Sequence, residues 1–259
     1  MLSQEQIEQF HRNGYLLGEQ VLDDAEVEVL RTEMQRVIDD RDKDVPQPVM
    51  LQNLSKPETP VWQIVNISEA SAPFARLTRQ PVIAQSIAAL MRAAEVRLWH
   101  DQVQFKPAAT GGVNMWHQDA PYWSTLTPMT QVTAWIALDD VDLENGCMSM
   151  VVGSHLWGNN IDFLHTLKSF DDVPSTFAGH EAEVRSCPVK KGHVHFHHAL
   201  TWHGSSANTS GRPRRAIAMH YMGEDTRFVA TGNHLMKPFI TVRDGATVHG
   251  DRFPRVWPR

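Results

Sequence analysis

VRLWHDQVQFK, residues 96–106, is the stretch where the chain changes its period. Before it, apolar residues recur every three to four positions. From Glu95 onward polar and apolar residues alternate, the side-chain period of a strand. The alternation returns at 113–117, 131–138 (QVTAWIAL), 146–152 (GCMSMVV), 182–188, 193–198 (HVHFHH), 201–203 and 214–222 (RRAIAMHYM), with Gly, Pro, Asn and Asp clusters between. Such short strands, punctuated by turns, predict an antiparallel sandwich or barrel. Upstream, Ser3 with Glu5 and Gln6 starts a helix that carries Ile7 and Phe10 on one face and stops at Gly14. Tyr15-Leu16-Leu17 is a short strand. A second helix runs from about Asp24 to Asp40 with Val27, Leu30, Met34 and Val37 at helical spacing, and another covers about 81–93, with Pro81 in its first turn. Residues 42–62 hold four prolines and read as a loop or lid edge. Helices first and strands afterwards predict a mostly β protein with flanking α: a double-stranded β-helix, or jelly roll, buttressed by N-terminal helices. The parts are a helical segment 1–94, a core 95–230 with an insert at about 156–181 that reads as mobile, and a C-terminal extension 231–259. Together, 1–259 reads as one domain.

Composition narrows the function. Lys and Arg number 24 against 30 Asp and Glu, a formal charge of −6, and no basic stripe is present, which argues against a nucleic-acid partner. No run approaches the roughly 18–20 apolar residues of a membrane span, so no membrane partner is expected. No basic segment followed by an apolar run opens the chain, and Cys147 and Cys187 are too few for a disulfide framework; a reducing cytoplasm is the expected location. The 14 histidines are a surplus, which points to imidazole and carboxylate chemistry.

That chemistry concentrates at Trp116-His117-Gln118-Asp119. On a strand, His117 and Asp119 face the same side and can present an imidazole and a carboxylate to one point inside a barrel, while Gln118 turns away or bends over the site. A second histidine from a distant strand would complete the facial set of a non-haem Fe(II) centre. Alone, His-x-Asp also occurs in surface turns. Five histidines crowd 193–203, and alternation places His193, His195 and His197 on one face, so they line the barrel wall or supply the missing ligand; His198 packs outward.

Residues 201–221, TWHGSSANTSGRPRRAIAMHY, carry a further pattern: His-Gly-Ser, an Asn, then a basic turn into Arg-Arg-Ala at the head of a strand. With His117-Gln118-Asp119 followed by Tyr122 and Trp123, the opening QIEQFHRNGYLL, Lys106-Pro107 and TAWIALDDVDLENGCMSMVVGSH, this resembles the phytanoyl-CoA dioxygenase family of Fe(II)/2-oxoglutarate oxygenases. Val152 departs from the usual Pro before Gly153-Ser154-His155, at a turn that supplies no ligand. The resemblance implies that His117, Asp119 and His203 bind Fe(II), with His195 and His197 the competitors for the third place. It implies that Arg214 holds the distal carboxylate of 2-oxoglutarate, since a planar guanidinium matches a carboxylate in a way that Lys does not. Alternation turns Arg215 to the other face, as a solvated charge or lid contact. Ser205 gives its hydroxyl to the same carboxylate, and Gln104 and Trp135 flank the co-substrate; for Trp135, plain core packing is the alternative. With O2, the reaction implied oxidises an unactivated C–H bond and releases succinate and CO2. An intact Asp119 favours hydroxylation or another oxidative outcome over halogenation.

The substrate is a small molecule. Gln102, Tyr122, Trp123 and His220 are expected to face it, with Arg227 and the 156–181 insert near the mouth; Tyr122 and Trp123 serve equally as packing there. Beyond Lys190-Lys191 and the Arg212–Arg215 turn, no basic cluster suits the phosphates of a coenzyme A ester, which disfavours an acyl-CoA and favours a small polar metabolite. Two other functions fit parts of the pattern. A zinc-dependent hydrolase would use the same ligands, and a non-catalytic small-molecule-binding barrel would need none of them.

Overall fold

Two parities on one set of strands organise the molecule. The computed structural model describes residues 1–54, 56–58, 61–109 and 111–258. Its large antiparallel sheet runs Tyr15–Gln20, His193–His198, Val132–Ala137, Arg214–Gly223, Val96–Lys106, Trp62–Val65, Met50–Asn53, with Arg255–Trp257 also paired to Val96–Lys106. One face of these strands carries Val103, Ala134, Ile136, Val194, Phe196, Ile217 and Met219, which pack against Phe10, Val27, Leu30, Met34, Ile83 and Ile87 of the helices. The opposite parity carries Gln102, Gln104, Thr133, Trp135, His195, His197 and His220 and turns inward, toward a smaller sheet ordered Val184–Cys187, Met148–Val151, His203–Ser205, Asn114–His117. The architecture is a double-stranded β-helix with helices on the outer face of the larger sheet.

Local chemistry places the helices. Gln4–Asn13 and Asp24–Asp39 each begin with a capping box, Ser3 with Gln6 and Asp23 with Glu26, which satisfies two otherwise orphaned N–H groups per helix. The first helix ends at Gly14, whose φ of 81° is left-handed, and a Cβ there would meet the His155 ring and the Thr201 hydroxyl. Pro81–Met91 starts on its proline, whose missing N–H costs nothing at that position.

The strands of the core lie within a few residues of their expected positions, with four corrections. The proline-rich 42–62 segment contains a strand, Met50–Asn53, which forms a hairpin with Trp62–Val65 and extends the large sheet beyond Val96–Lys106. Ala72–Leu77 is a helix too short to register as a period. The 201–203 strand is displaced to His203–Ser205, because Thr201 and Trp202 are drawn into the turn: the Thr201 hydroxyl bonds the Gly14 carbonyl at 2.8 Å, and Trp202 is fully buried. The 156–181 insert is docked rather than loose. Trp157, Phe163, Phe170 and Phe177 pack on Trp116 and Trp202, and the Trp116 indole donates to the Phe170 carbonyl at 2.7 Å.

Candidate active site

His117 ends the Asn114–His117 strand and His203 opens the adjacent one, and the two face each other directly across the antiparallel pair. Their rings lie 4.1 Å apart, centroid to centroid. Asp119 follows in the turn that begins a 3-10 segment, its Oδ1 3.7 Å from His117 Nε2 and 3.6 Å from His203 Nε2. One donor atom from each of the three falls within 4.8 Å of the others, so the set can hold one metal ion. Each imidazole is locked by its own strand: His117 Nδ1 lies 2.8 Å from the Met115 carbonyl and His203 Nδ1 2.9 Å from the Thr201 carbonyl. A carbonyl only accepts, so Nδ1 carries the proton and Nε2 keeps its lone pair toward the centre. Burial, then the neighbouring imidazole of His203, pushes His117 down to about 4, and burial lowers His203 as well. Both rings are therefore neutral donors near pH 7.

Asp119 is oriented from its other side. Its Oδ2 lies 3.3 Å from His197 Nε2 and 3.5 Å from the Thr133 hydroxyl, which itself sits 2.7 Å from His220 Nδ1. Burial works against its charge, but His203, the hydrogen bond from His197, and His220 outweigh it and hold the carboxyl well below its ordinary range. Gln118 turns away from the centre. Its amide donates to the Gly158 and Leu200 carbonyls at 2.8 and 2.7 Å and accepts from Asn160 N at 2.7 Å, tying the turn to the insert.

Deeper in, Arg214 and Lys106 are cross-strand neighbours, both fully buried. Arg214 Nη2 donates to Ser205 Oγ at 3.1 Å and to the Gly146 carbonyl at 3.0 Å, while its Nη1 has no partner. Lys106 Nζ lies 2.7 Å from the same Ser205 Oγ. No carboxylate pairs with either side chain among the described residues: Asp139, which acts on Arg214 only through its field, is held by Arg215 at 2.9 and 2.7 Å and by Arg31 at 2.6 Å. Arg215 is thus an ion-paired strut between sheet and helix, not a solvated charge or a lid contact. Burial lowers Arg214 to about 10; burial and then Arg214 lower Lys106 to about 6. The Arg214 guanidinium lies 5.4 Å over the Trp135 ring, whose indole nitrogen is also unpartnered. A buried guanidinium with a spare Nη1, an amine whose charge burial disfavours and the Ser205 hydroxyl thus stand together with no carboxylate beside them.

The remaining expected residues fall as follows. Gln102, Gln104 and His220 line both the inner pocket and an outer cavity of about 810 Å³, which Tyr122 and Trp123 also line. Trp135 lines the inner pocket and is core as well. Tyr122 is 49% exposed and its hydroxyl lies 2.8 Å from His165 Nε2 of the insert, at the cavity rim. Arg227 is not on this wall; its guanidinium reaches the Gly245 carbonyl at 3.4 Å, because its short strand pairs with Leu126–Thr127 outside the barrel. His195 stacks on Tyr15 at 5.7 Å, His193 sits at the strand entrance 3.2 Å from the Lys191 carbonyl, and His198 packs against His155 at 5.3 Å instead of pointing outward. Sequence reading missed Lys106 as a site residue and the part of His197 and Thr133 in orienting Asp119. The Lys106-Pro107 pair was a visible signal for the first; no local signal marks the other two.

Fold and centre together define a double-stranded β-helix protein with a two-histidine, one-carboxylate site and a buried Arg214, Lys106 and Ser205 cluster behind it. The chain belongs to the phytanoyl-CoA dioxygenase (PhyH) family, whose model matches residues 10–216. Among its relatives, an ectoine dioxygenase of Bordetella parapertussis (strain 12822) is 26% identical over 240 residues, covering 85% of this chain and 75% of its own. The peroxisomal phytanoyl-CoA dioxygenase of Bos taurus is 24% identical over 248 residues, covering 88% and 71%. Among solved structures, the non-heme alpha ketoglutarate dependent carbocyclase SnoK from nogalamycin biosynthesis superposes with a TM-score of 0.81 at 26% identity, over 98% of this chain and 96% of that one. The epimerase SnoN in complex with Fe3+, alpha ketoglutarate and nogalamycin RO gives 0.72 at 25% identity, over 97% of each.

Proposed function

We propose that this protein is a non-haem Fe(II)- and 2-oxoglutarate-dependent dioxygenase that oxidises a C–H bond of a small molecule. The observation that carries the reading is the pairing of the two sites: a neutral-imidazole and carboxylate triad at the sheet interface, and behind it a buried Arg214 and Lys106 with no counter-charge. The donor set suits iron. The spare Nη1 of Arg214, the Lys106 amine, which gains its proton as the dianion binds, and the Ser205 hydroxyl suit the distal carboxylate of 2-oxoglutarate, with Gln104 and Trp135 beside it. When bound, iron with 2-oxoglutarate supplies dioxygen activation and C–H oxidation, with release of succinate and CO2.

The chain's own work is positional. His117 and His203 offer lone pairs of fixed direction, and Asp119 is kept ionised and aimed by His197 and Thr133. Arg214 and Lys106 select a dianion and set its depth. Gln102, Trp123 and His220 shape the opening through which substrate meets the centre, and Tyr122 with His165 forms its rim. A zinc hydrolase has no use for the buried Arg214 and Lys106, and a non-catalytic barrel has none for a triad whose two Nδ1 atoms and Asp119 Oδ2 are each held in place.

Hydroxylation is the outcome we propose; desaturation, epimerisation and ring formation use the same centre. No described helix is long and apolar enough to cross a membrane. We place the protein in the cytoplasm, where two buried free thiols suit a reducing medium, with small molecules and neither nucleic acid nor membrane as partners. The test is succinate release: Fe(II)-loaded protein is expected to form succinate from 2-oxoglutarate only with O2, at a basal rate that a true substrate raises, and Zn(II)-loaded protein to form none. Hydrolytic turnover with Zn(II), and no succinate with Fe(II), would sink the reading.

A further inference from the structure

The outer cavity, about 810 Å³, has the volume of a site for a drug-sized molecule and exceeds what a free amino acid needs. Among the described residues its wall carries no Lys, Arg or Glu, and its one acidic group is Asp119, which belongs to the metal centre. What the wall does carry is amides: Gln52, Gln63, Gln102, Gln104, Asn114 and Asn233. Each presents both donors and an acceptor. Gln52 and Gln63 use one of each on one another, at 3.0 Å, and keep the rest. His100 adds a buried imidazole with neither ring nitrogen partnered, its ring edge-on to Trp123 at 5.5 Å and 4.4 Å from His220. Burial, then the neighbouring imidazoles of His220 and His234, holds His100 neutral, and burial lowers His234 to about 4. Among the described residues, apart from Asp119, the wall carries no acidic group and no Lys or Arg; it sets groups that give and accept hydrogen bonds at once beside Met50, Leu54, Met115, Leu164, Leu167 and Leu235, with the Trp123 and His220 rings edge-to-face at 4.8 Å.

Each feature rejects a class. A carboxylate or phosphate brought here would be desolvated with no Lys or Arg to meet it, and an ammonium would find only Asp119, which the metal centre uses. An alkyl chain would meet the wall's leucines and methionines but strip water from six amides without replacing their hydrogen bonds. Hydroxyl, ether and ketone oxygens match amides in either role, and ring faces match the aromatic wall. We infer that the cavity takes a neutral, multiply oxygenated ring molecule, such as a glycoside or hydroxylated polycycle, in preference to any ionised metabolite or coenzyme A ester. The inference rests on the oxygenase reading for the bond attacked, but not for the molecule bound.

The experiment uses protein loaded with Zn(II), which is diamagnetic and redox-inert, together with 2-oxoglutarate. Ligand-observed saturation-transfer NMR follows 4-nitrophenyl β-glucoside and 4-nitrophenyl β-glucuronide, which differ by a carboxylate in place of a hydroxymethyl group, and octanoyl-coenzyme A. The glucoside is expected to bind in the millimolar range and the glucuronide at least tenfold more weakly, with no specific transfer to the coenzyme A ester. Gln102→Leu and Asn114→Leu should each weaken the glucoside about tenfold by leaving a hydroxyl unpaired. Trp123→Phe should retain binding that Trp123→Leu loses, which separates stacking from simple loss of packing. Equal or tighter binding of either anion, or no binding of the glucoside, overturns the substrate class. The 2-oxoglutarate affinity of the same samples keeps the two readings apart: if it is retained while the glucoside fails, only the substrate class falls, and if it is absent the oxygenase reading falls first.

Discussion

Lys106 is a strand-end lysine by sequence and a buried amine by structure, and its protonation gives a signed prediction. The groups facing it are Arg214 from the paired strand and Cys147 from the turn before Met148, with the Ser205 hydroxyl and the Ser205 and Ser206 carbonyls around its nitrogen. Its folded value of about 6 lies below the unfolded 10.5, so between those values the unfolded chain binds more protons. The stability penalty is therefore full below about pH 6 and is relieved as pH rises toward 10.5. A bound dianion favours the charged amine, so 2-oxoglutarate binding at pH 8 should take up a proton. Calorimetry in buffers of different ionisation heat should show that uptake in the native protein and its absence in Lys106→Met; uptake of equal size in the variant would contradict it. For Arg214→Ala, loss of one partner of a buried charge pair costs about 2–5 kcal/mol, so 2-oxoglutarate should bind at least about 30-fold more weakly. Arg214→Lys should recover only part of this, because an ammonium lacks the fork.

The residue scale also shows what a sequence discloses. Period two is enough to separate Arg214 from Arg215, which share one strand, whereas Asp119 reaches the side of His117 from the turn beyond the strand's end rather than by strand alternation. It gives no account of His197 bonding Asp119, or of Lys106 meeting Ser205, because each pair joins strands far apart in the chain.

At the scale of elements, the turn after Asn114–His117 depends on Gln118. Its buried side chain satisfies two carbonyls and one N–H of half-buried residues, so Gln118→Leu removes the partner of all three. We expect a loss of about 2–4 kcal/mol in urea denaturation, and weaker metal retention because Asp119 is no longer held at its angle; a variant as stable as the native protein would show that the tie is incidental. Long amphipathic elements such as Asp24–Asp39 and Arg214–Gly223 were legible because one face must be apolar over many residues. Met50–Asn53 was not, since it stands beside prolines and acquires its strand character only by pairing with Trp62–Val65. The docking of the insert was equally hidden, as its four aromatics are scattered and their receptors, Trp116 and Trp202, lie on other elements.

For the whole molecule, the two parities of the large sheet divide labour: one face binds the helices and sets stability, and the other holds the site. Truncating the first should spare the second. Leu30→Ala should cost about 2–5 kcal/mol in stability with 2-oxoglutarate affinity unchanged below the melting transition. Conversely, ligands that bind only the folded state stabilise it by mass action, about 2.7 kcal/mol at a hundredfold excess over Kd. Metal and 2-oxoglutarate together should raise Tm, and a chelator should reverse the rise; an unmoved Tm would mean that the inner pocket does not bind them. The central claim, that one centre holds iron and 2-oxoglutarate together, is tested most directly by anaerobic titration of Fe(II)-loaded protein with 2-oxoglutarate, followed through the weak visible charge-transfer band of the chelate. The band is expected in the native protein, absent in His117→Ala and needing far more 2-oxoglutarate in Arg214→Ala; no band in fully iron-loaded native protein would contradict that claim.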